Sequence, residues 1–151
     1  MTITFHRQVL LANGHGIPAI GCFPHPKKEK RGKVVLVCHG LGVSKEVQKP
    51  ELERLAGSGY RAYALDAPHH GERLSGLVKE MDGADQERSN DIFQKIVGQA
   101  VLEIPALVSY FRNQEGAEVG LIGISMGGFT AFGSALLEPK PKVCVPIIAS
   151  P

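Results

Sequence analysis

The strongest chemical signal in this sequence is Gly123-Ile124-Ser125-Met126-Gly127, which fits the pattern G-x-S-x-G. That pattern suits a serine held on a sharp strand-to-helix bend, its hydroxyl raised above a sheet. Gly123 and Gly127 would then let neighbouring backbone approach where a Cβ would clash. The chemistry served would be nucleophilic attack on an acyl carbonyl. By itself the match is weak, because with 18 glycines it would arise by chance in roughly one such chain in ten. Its setting strengthens it: residues 119–122 are apolar and read as a strand, and a helix rich in small residues reads on from Met126 to about Leu137. The bland alternative is a glycine-rich turn with an idle serine.

A second candidate is His39-Gly40-Leu41-Gly42, directly after the apolar run Val34-Val35-Leu36-Val37-Cys38. An acyl-transfer site needs two N–H donors where negative charge develops on oxygen. The N–H of Met126, following the serine, would be one, and that of Leu41 the other. The bland alternative is that this loop is only a glycine-rich turn.

The elements that must position these residues follow from hydrophobic periodicity. Residues 3–11 and 17–23 read as two short strands around Asn13-Gly14. Residues 24–32 read as a solvated loop, and 34–38 as a strand covered on both faces. A short helix follows over 50–56, then a strand over 61–65 ending at Asp66. Residues 69–88 show no period and read as a long loop, more simply a mobile surface segment than a lid over an acyl pocket. From about Asn90 to Arg112 apolar residues recur every three or four positions, predicting one long amphipathic helix kinked at Pro105. A last strand reads over 143–148. Strand and helix alternate from residue 34 onward, which predicts an α/β fold in three layers, a mostly parallel sheet with helices on both faces. In such sheets sites form at the carboxyl ends of strands, where His39, Asp66 and Ser125 fall.

Composition bounds the remaining choices. The chain has 151 residues, sized for one domain, and a net charge of +2, which gives no reason to expect a nucleic-acid or membrane partner. No apolar run approaches the roughly 20 residues needed to span a bilayer, and no signal peptide is visible. Cys22, Cys38 and Cys144 lack metal-like or redox-like spacing and read as reduced thiols of a cytoplasmic protein. No cofactor is expected.

Three segments now carry a resemblance: VVLVCHGLGVSKE, LAGSGYRAYALDAPHHGER and VGLIGISMGGFTA, in that order. Over about residues 17–151 the sequence resembles the α/β-hydrolase superfamily, and within it the dienelactone-hydrolase and prolyl-oligopeptidase-like branch of small bacterial esterases. The resemblance implies an eight-stranded sheet and catalytic groups in the order Ser, acid, His. Ser125 would match the nucleophile, Leu41 and Met126 the oxyanion hole, and Asp66 a structural aspartate. It implies a small acyl-ester substrate.

The sequence departs from that pattern at its end. No Asp, Glu or His follows Glu138, so the acid and the base have no match here. His39 would in this resemblance prop the oxyanion loop. His69 and His70 follow the Asp66 strand, but with Asp66 they lack a third ligand for a metal, and none is expected. His6, His15 and His25 read as solvated. The expectation is therefore an incomplete domain whose C-terminal strands, base and acid lie outside this chain. Its edge strand over 143–148 would then be open to self-association. The leading reading is a serine esterase, and the alternative a catalytically inactive α/β-hydrolase-like fragment or binding module. A dinucleotide-binding fold fits less well, because no G-x-G-x-x-G follows the first parallel strand.

Overall fold

The computed structural model describes residues 4–147. Strands β1 (Phe5–Ala12) and β2 (His15–Cys22) form a hairpin. Its turn, Asn13-Gly14, has positive φ at both residues, 51° and 78°, which is the chemistry that a two-residue hairpin connection demands. Strands β3 (Lys33–Cys38), β4 (Arg61–Leu65), β5 (Glu118–Ile124) and β6 (Val143–Ile147) complete a single sheet in the order β1-β2-β4-β3-β5-β6. β2 meets β4 antiparallel, whereas β4, β3, β5 and β6 run parallel. This is the mostly parallel α/β sheet expected, with β3 at its centre.

The run at β3 is continuously apolar because each face of the sheet has its own core. Val34, Leu36 and Cys38 pack with Leu10, Tyr63, Leu121 and the long helix, while Val35 and Val37 pack with Leu52, Ala56, Ala62 and Ala64. Helix α1 (Lys49–Gly57) covers the second face. Helices α3 (Gln86–Glu115) and α4 (Met126–Ser134) lie on the first. Ile92, Ile96, Ala100, Ile104, Leu107, Val108 and Phe111 form the buried stripe of α3, which continues through Pro105. A fully buried aliphatic side chain such as Leu107 contributes about 2 kcal/mol or more.

The segment read as an irregular loop, 69–88, is where the structure departs most from expectation. It holds a 3-10 turn at Gly71–Arg73, helix α2 (Gly76–Glu80) and a second 3-10 turn at Met81–Gly83. Ser75 caps α2 by accepting the Leu77 N–H, and Asp85 caps α3 by accepting the Arg88 N–H, so α3 starts at Gln86. Leu77, Val78 and Met81 pack on Ile92, Ile96 and Met126, so part of this segment contributes to a small core. At the other end α4 stops at Ser134, short of Leu137. Its last turn tightens into bonds from Ala135 to Phe132, Leu136 to Gly133 and Leu137 to Ser134.

Among the described residues nothing pairs with the outer side of β6. Val143, Val145 and Ile147 are exposed there, as are Phe129 and Phe132 on α4. A groove of about 390 Å³ lined by Leu55, Tyr60, Ile122, Val143 and Val145 lies on the α1 side of the sheet. The open edge expected over 143–148 is thus present as far as Ile147, and Ile148 lies outside the described residues.

Candidate active site

Ser125 stands between the end of β5 and the start of α4, with φ 54° and ψ −116°. That conformation costs a residue with a Cβ about 1–3 kcal/mol and persists only where the surroundings enforce it. Here they do. The Ser125 N–H donates to the Ile147 carbonyl at 2.6 Å, and its own carbonyl accepts from Gly128 N–H at 2.7 Å. The flanking glycines are required by contact. A Cβ on Gly123 would overlap the Gly127 carbonyl, and one on Gly127 would overlap the Cys38 carbonyl at the end of β3. The bend is thus wedged against the central strand.

This wedge gives a direct expectation. Gly127→Ala must push α4 off β3 and is expected to cost about 2–3 kcal/mol. Gly98→Ala, on α3 with open space around it, is expected to be neutral or stabilising by up to about 1 kcal/mol. Urea denaturation midpoints of the two variants check this, and an unchanged midpoint for Gly127→Ala would contradict the close packing.

The loop after β3 lies beside the serine. A Cβ on Gly40 would sit 3.4 Å from Ser125 Cβ and 3.8 Å from its Oγ. Among the described residues, no acceptor takes the N–H of Leu41 or of Met126. The Gly42 N–H, by contrast, is already committed to His70 Nε2 at 3.0 Å. The structure therefore brings Ser125, Gly40 and the Leu41 loop together, with the two sequence-predicted amides lacking an acceptor among the described residues.

Among the described residues it brings them no histidine base. His39 is wholly buried; its Nε2 accepts the Ala67 N–H at 3.0 Å and its Nδ1 donates to the Gly40 carbonyl at 2.7 Å. Burial, the dominant influence, lowers its pKa and keeps the ring neutral, against the opposing pull of the Gly40 carbonyl. His69 is engaged by Ser75 and Gln99, and His70 bonds Pro68 and Gly42. His6, His15 and His25 are exposed. No described histidine bonds the Ser125 hydroxyl. No group of three or more His, Cys, Asp or Glu residues among those described could hold a metal.

Asp66 accepts from the Lys45 N–H at 3.0 Å, in the loop after β3, and from the Glu72 N–H at 2.9 Å, in the loop after its own strand. Sequence reasoning missed its main partner: the buried Lys45 ammonium lies 2.6 Å from the Asp66 carboxylate and 2.6 Å from Glu72. Burial raises the Asp66 pKa, but these donors outweigh it and hold the carboxyl below its ordinary range. Burial likewise opposes charge on Lys45, yet Asp66 and Glu72 keep its pKa above the usual lysine value. Arg73 completes the frame, bonding the Asp66 carbonyl and, through both terminal nitrogens, Glu103 on α3. Nothing in the polar stretch Ser44-Lys45-Glu46 marks Lys45 as interior. Behind the site a cavity of about 20 Å³ touches Asp66, Met126 and Thr130, room for no more than one water.

A six-stranded sheet of this order, with a serine bent above its central strands, defines an α/β-hydrolase core. The model of the Alpha/beta hydrolase family matches residues 34–151, and the chain belongs to that family. It is 31% identical over 140 residues to "Putative esterase YitV" of Bacillus subtilis (strain 168), covering 90% of this chain and 52% of that protein. The chain thus spans about half the length of this curated relative. Among solved structures it resembles a cold-adapted esterase from an Arctic intertidal metagenomic library, with TM-score 0.65 and 23% identity, over 93% of this chain and 58% of that one. It also resembles XC6422 of Xanthomonas campestris, an a/b serine hydrolase without lid, with TM-score 0.64 and 18% identity, over 89% and 57% of the two chains. These two show a shared fold.

Proposed function

We propose that the protein is a serine hydrolase of small carboxylic esters, with Ser125 as nucleophile and the N–H groups of Leu41 and Met126 as oxyanion hole. The observation that carries this reading is the positive-φ bend at Ser125, set so close to Gly40 that a Cβ there would touch the serine side chain. The curated relative's description as an esterase points the same way. In this reading Ser125 Oγ bonds to the ester carbonyl carbon and its proton passes to a histidine base. The carbonyl π pair moves onto oxygen, where the two amides meet it. Collapse expels the alcohol, which takes the proton back, and water then cleaves the acyl-enzyme by the same steps. The histidine and the acid that orients it lie outside these residues, because every buried histidine described here is engaged at both ring nitrogens. No cofactor enters the reaction.

That same engagement supports a second reading, a catalytically inactive hydrolase-like module. A fluorophosphonate probe separates the two. The esterase reading expects the intact protein to gain one covalent adduct, mapped by mass spectrometry to the peptide holding Ser125 and absent from Ser125→Ala. Residues 1–151 alone are expected to label weakly or not at all. Folded, intact protein that remains unlabelled would sink the esterase reading.

A further inference from the structure

We propose that His70 closes a reciprocal clasp with His39 between two loops, which fixes the peptide carrying the Leu41 N–H and makes His70 a positioning residue beside the His39 prop that the resemblance already implies. The inference deepens the esterase reading and rests on it for its catalytic consequence.

The clasp joins residues 39–44, after β3, to residues 66–71, after β4. From the first loop His39 Nε2 accepts the Ala67 N–H at 3.0 Å; from the second, His70 Nε2 accepts the Gly42 N–H at 3.0 Å. An amide N–H can only donate, so each Nε2 carries a lone pair and each ring proton sits on Nδ1. Those protons are used as well, toward the Gly40 carbonyl at 2.7 Å and the Pro68 carbonyl at 2.8 Å. Each ring therefore ties its own loop and the opposite one. The rings meet edge to face with centroids 5.2 Å apart, and both side chains are buried.

The consequence falls on one peptide plane. In a planar trans peptide the carbonyl and the following N–H point in opposite directions. His39 holds the Gly40 carbonyl, so the Leu41 N–H must face away from that ring. One residue later the Gly42 N–H is held by His70, at a φ of 75° that glycine tolerates and other residues resist. The Gly40–Leu41 plane is thus held at its carbonyl and the next plane at the Gly42 N–H, which leaves the Leu41 N–H without an acceptor among the described residues, one residue on from Gly40, where a Cβ would touch Ser125. A donor stabilises a developing oxyanion fully only if its direction is fixed beforehand. Burial keeps His39 neutral, as the clasp requires, with Asp66 and Lys45 as the nearby charged groups.

The test compares the intact wild-type protein with His70→Ala and His70→Gln, the latter keeping an acceptor where Nε2 stands. Gly42 amide exchange is read by NMR, and kcat and KM on p-nitrophenyl acetate are measured in parallel. His70→Ala is expected to lose Gly42 protection and to lower kcat about 10- to 100-fold, with KM within about twofold, a smaller loss than deleting a donor outright. His70→Gln is expected to recover most of both. Retention of Gly42 protection and kcat in His70→Ala would overturn the clasp, as would His70→Gln being equally defective. Should His70→Ala not fold, the ring ¹⁵N shifts of the wild type decide: Nδ1–H on both rings supports the clasp, and Nε2–H on either overturns it. Turnover surviving Ser125→Ala would refute the esterase reading alone, leaving amide exchange and ring tautomers to judge the clasp.

Discussion

Ser125→Ala is expected to reduce ester turnover by on the order of 10⁵- to 10⁶-fold, the scale seen when a triad nucleophile is removed. No other described group can take its place at the bend. Stability is expected to stay nearly level, because alanine keeps a Cβ at φ 54° and Ser125 makes no side-chain cap bond. Ser125→Gly separates function from strain. It removes the same hydroxyl but also the Cβ, and relief of about 1–3 kcal/mol of backbone strain exceeds the extra entropy glycine loses on folding. The net expectation is a gain of about 1 kcal/mol over Ser125→Ala, or roughly 2–4 °C in Tm for a chain of this size. Kinetics on a chromogenic ester and a thermal melt read the two effects from the same samples. A glycine variant less stable than the alanine variant would show that the bend is not strained.

Lys45→Ala is expected to cost about 3–5 kcal/mol, the largest stability effect of any single change considered. Lys45 and Asp66 have side-chain exposures of 2% and 0%, so removing the ammonium strands a buried carboxylate. Two amides remain on Asp66, from Lys45 and Glu72, and temper the loss without neutralising the charge. The pH dependence has a definite sign on each side. Asp66 is held below its ordinary 3.8, so its contribution is complete above that value and is lost as pH falls through the lower folded one. Lys45 is held above its ordinary 10.5, so its contribution is complete below that value and is lost as pH rises through the higher one. In Lys45→Ala the burial of Asp66 is less opposed and raises its carboxyl, so the stability gap between wild type and variant should be widest from neutral pH to about pH 10, narrow as falling pH protonates the raised carboxyl of the variant, and narrow again at the alkaline end. Urea titrations across that range measure it. A gap below about 1 kcal/mol at pH 7 would mean the pair is no better than a surface contact.

The chain's own pattern made most of the scaffold legible. The apolar runs at β3, β4 and β5, the Asn13-Gly14 turn and the three-and-four spacing of α3 each report a local preference that the fold does not override. The bend at Ser125 was legible for a related reason, since it needs glycine two residues to either side, Gly123 against the nearby Gly127 carbonyl and Gly127 against the distant Cys38 carbonyl. The segment 69–88 misled because its own helices are single turns, held by the Ser75 cap and by Leu77, Val78 and Met81 packing on α3 and Met126, before α3 starts at its Asp85 cap. No period survives in elements so short.

Sequence by itself determined the α/β architecture, the serine bend and the two loops that would face a substrate, because those features depend on residue periodicity and on glycine's missing Cβ. Tertiary structure alone decided what holds those loops in place. Lys45 lies 21 positions from Asp66, and His70 lies 28 from Gly42. Such pairings leave no periodic trace along the chain. They exist because parallel strands bring their carboxyl ends together, where buried charges and amides must find partners or pay for desolvation.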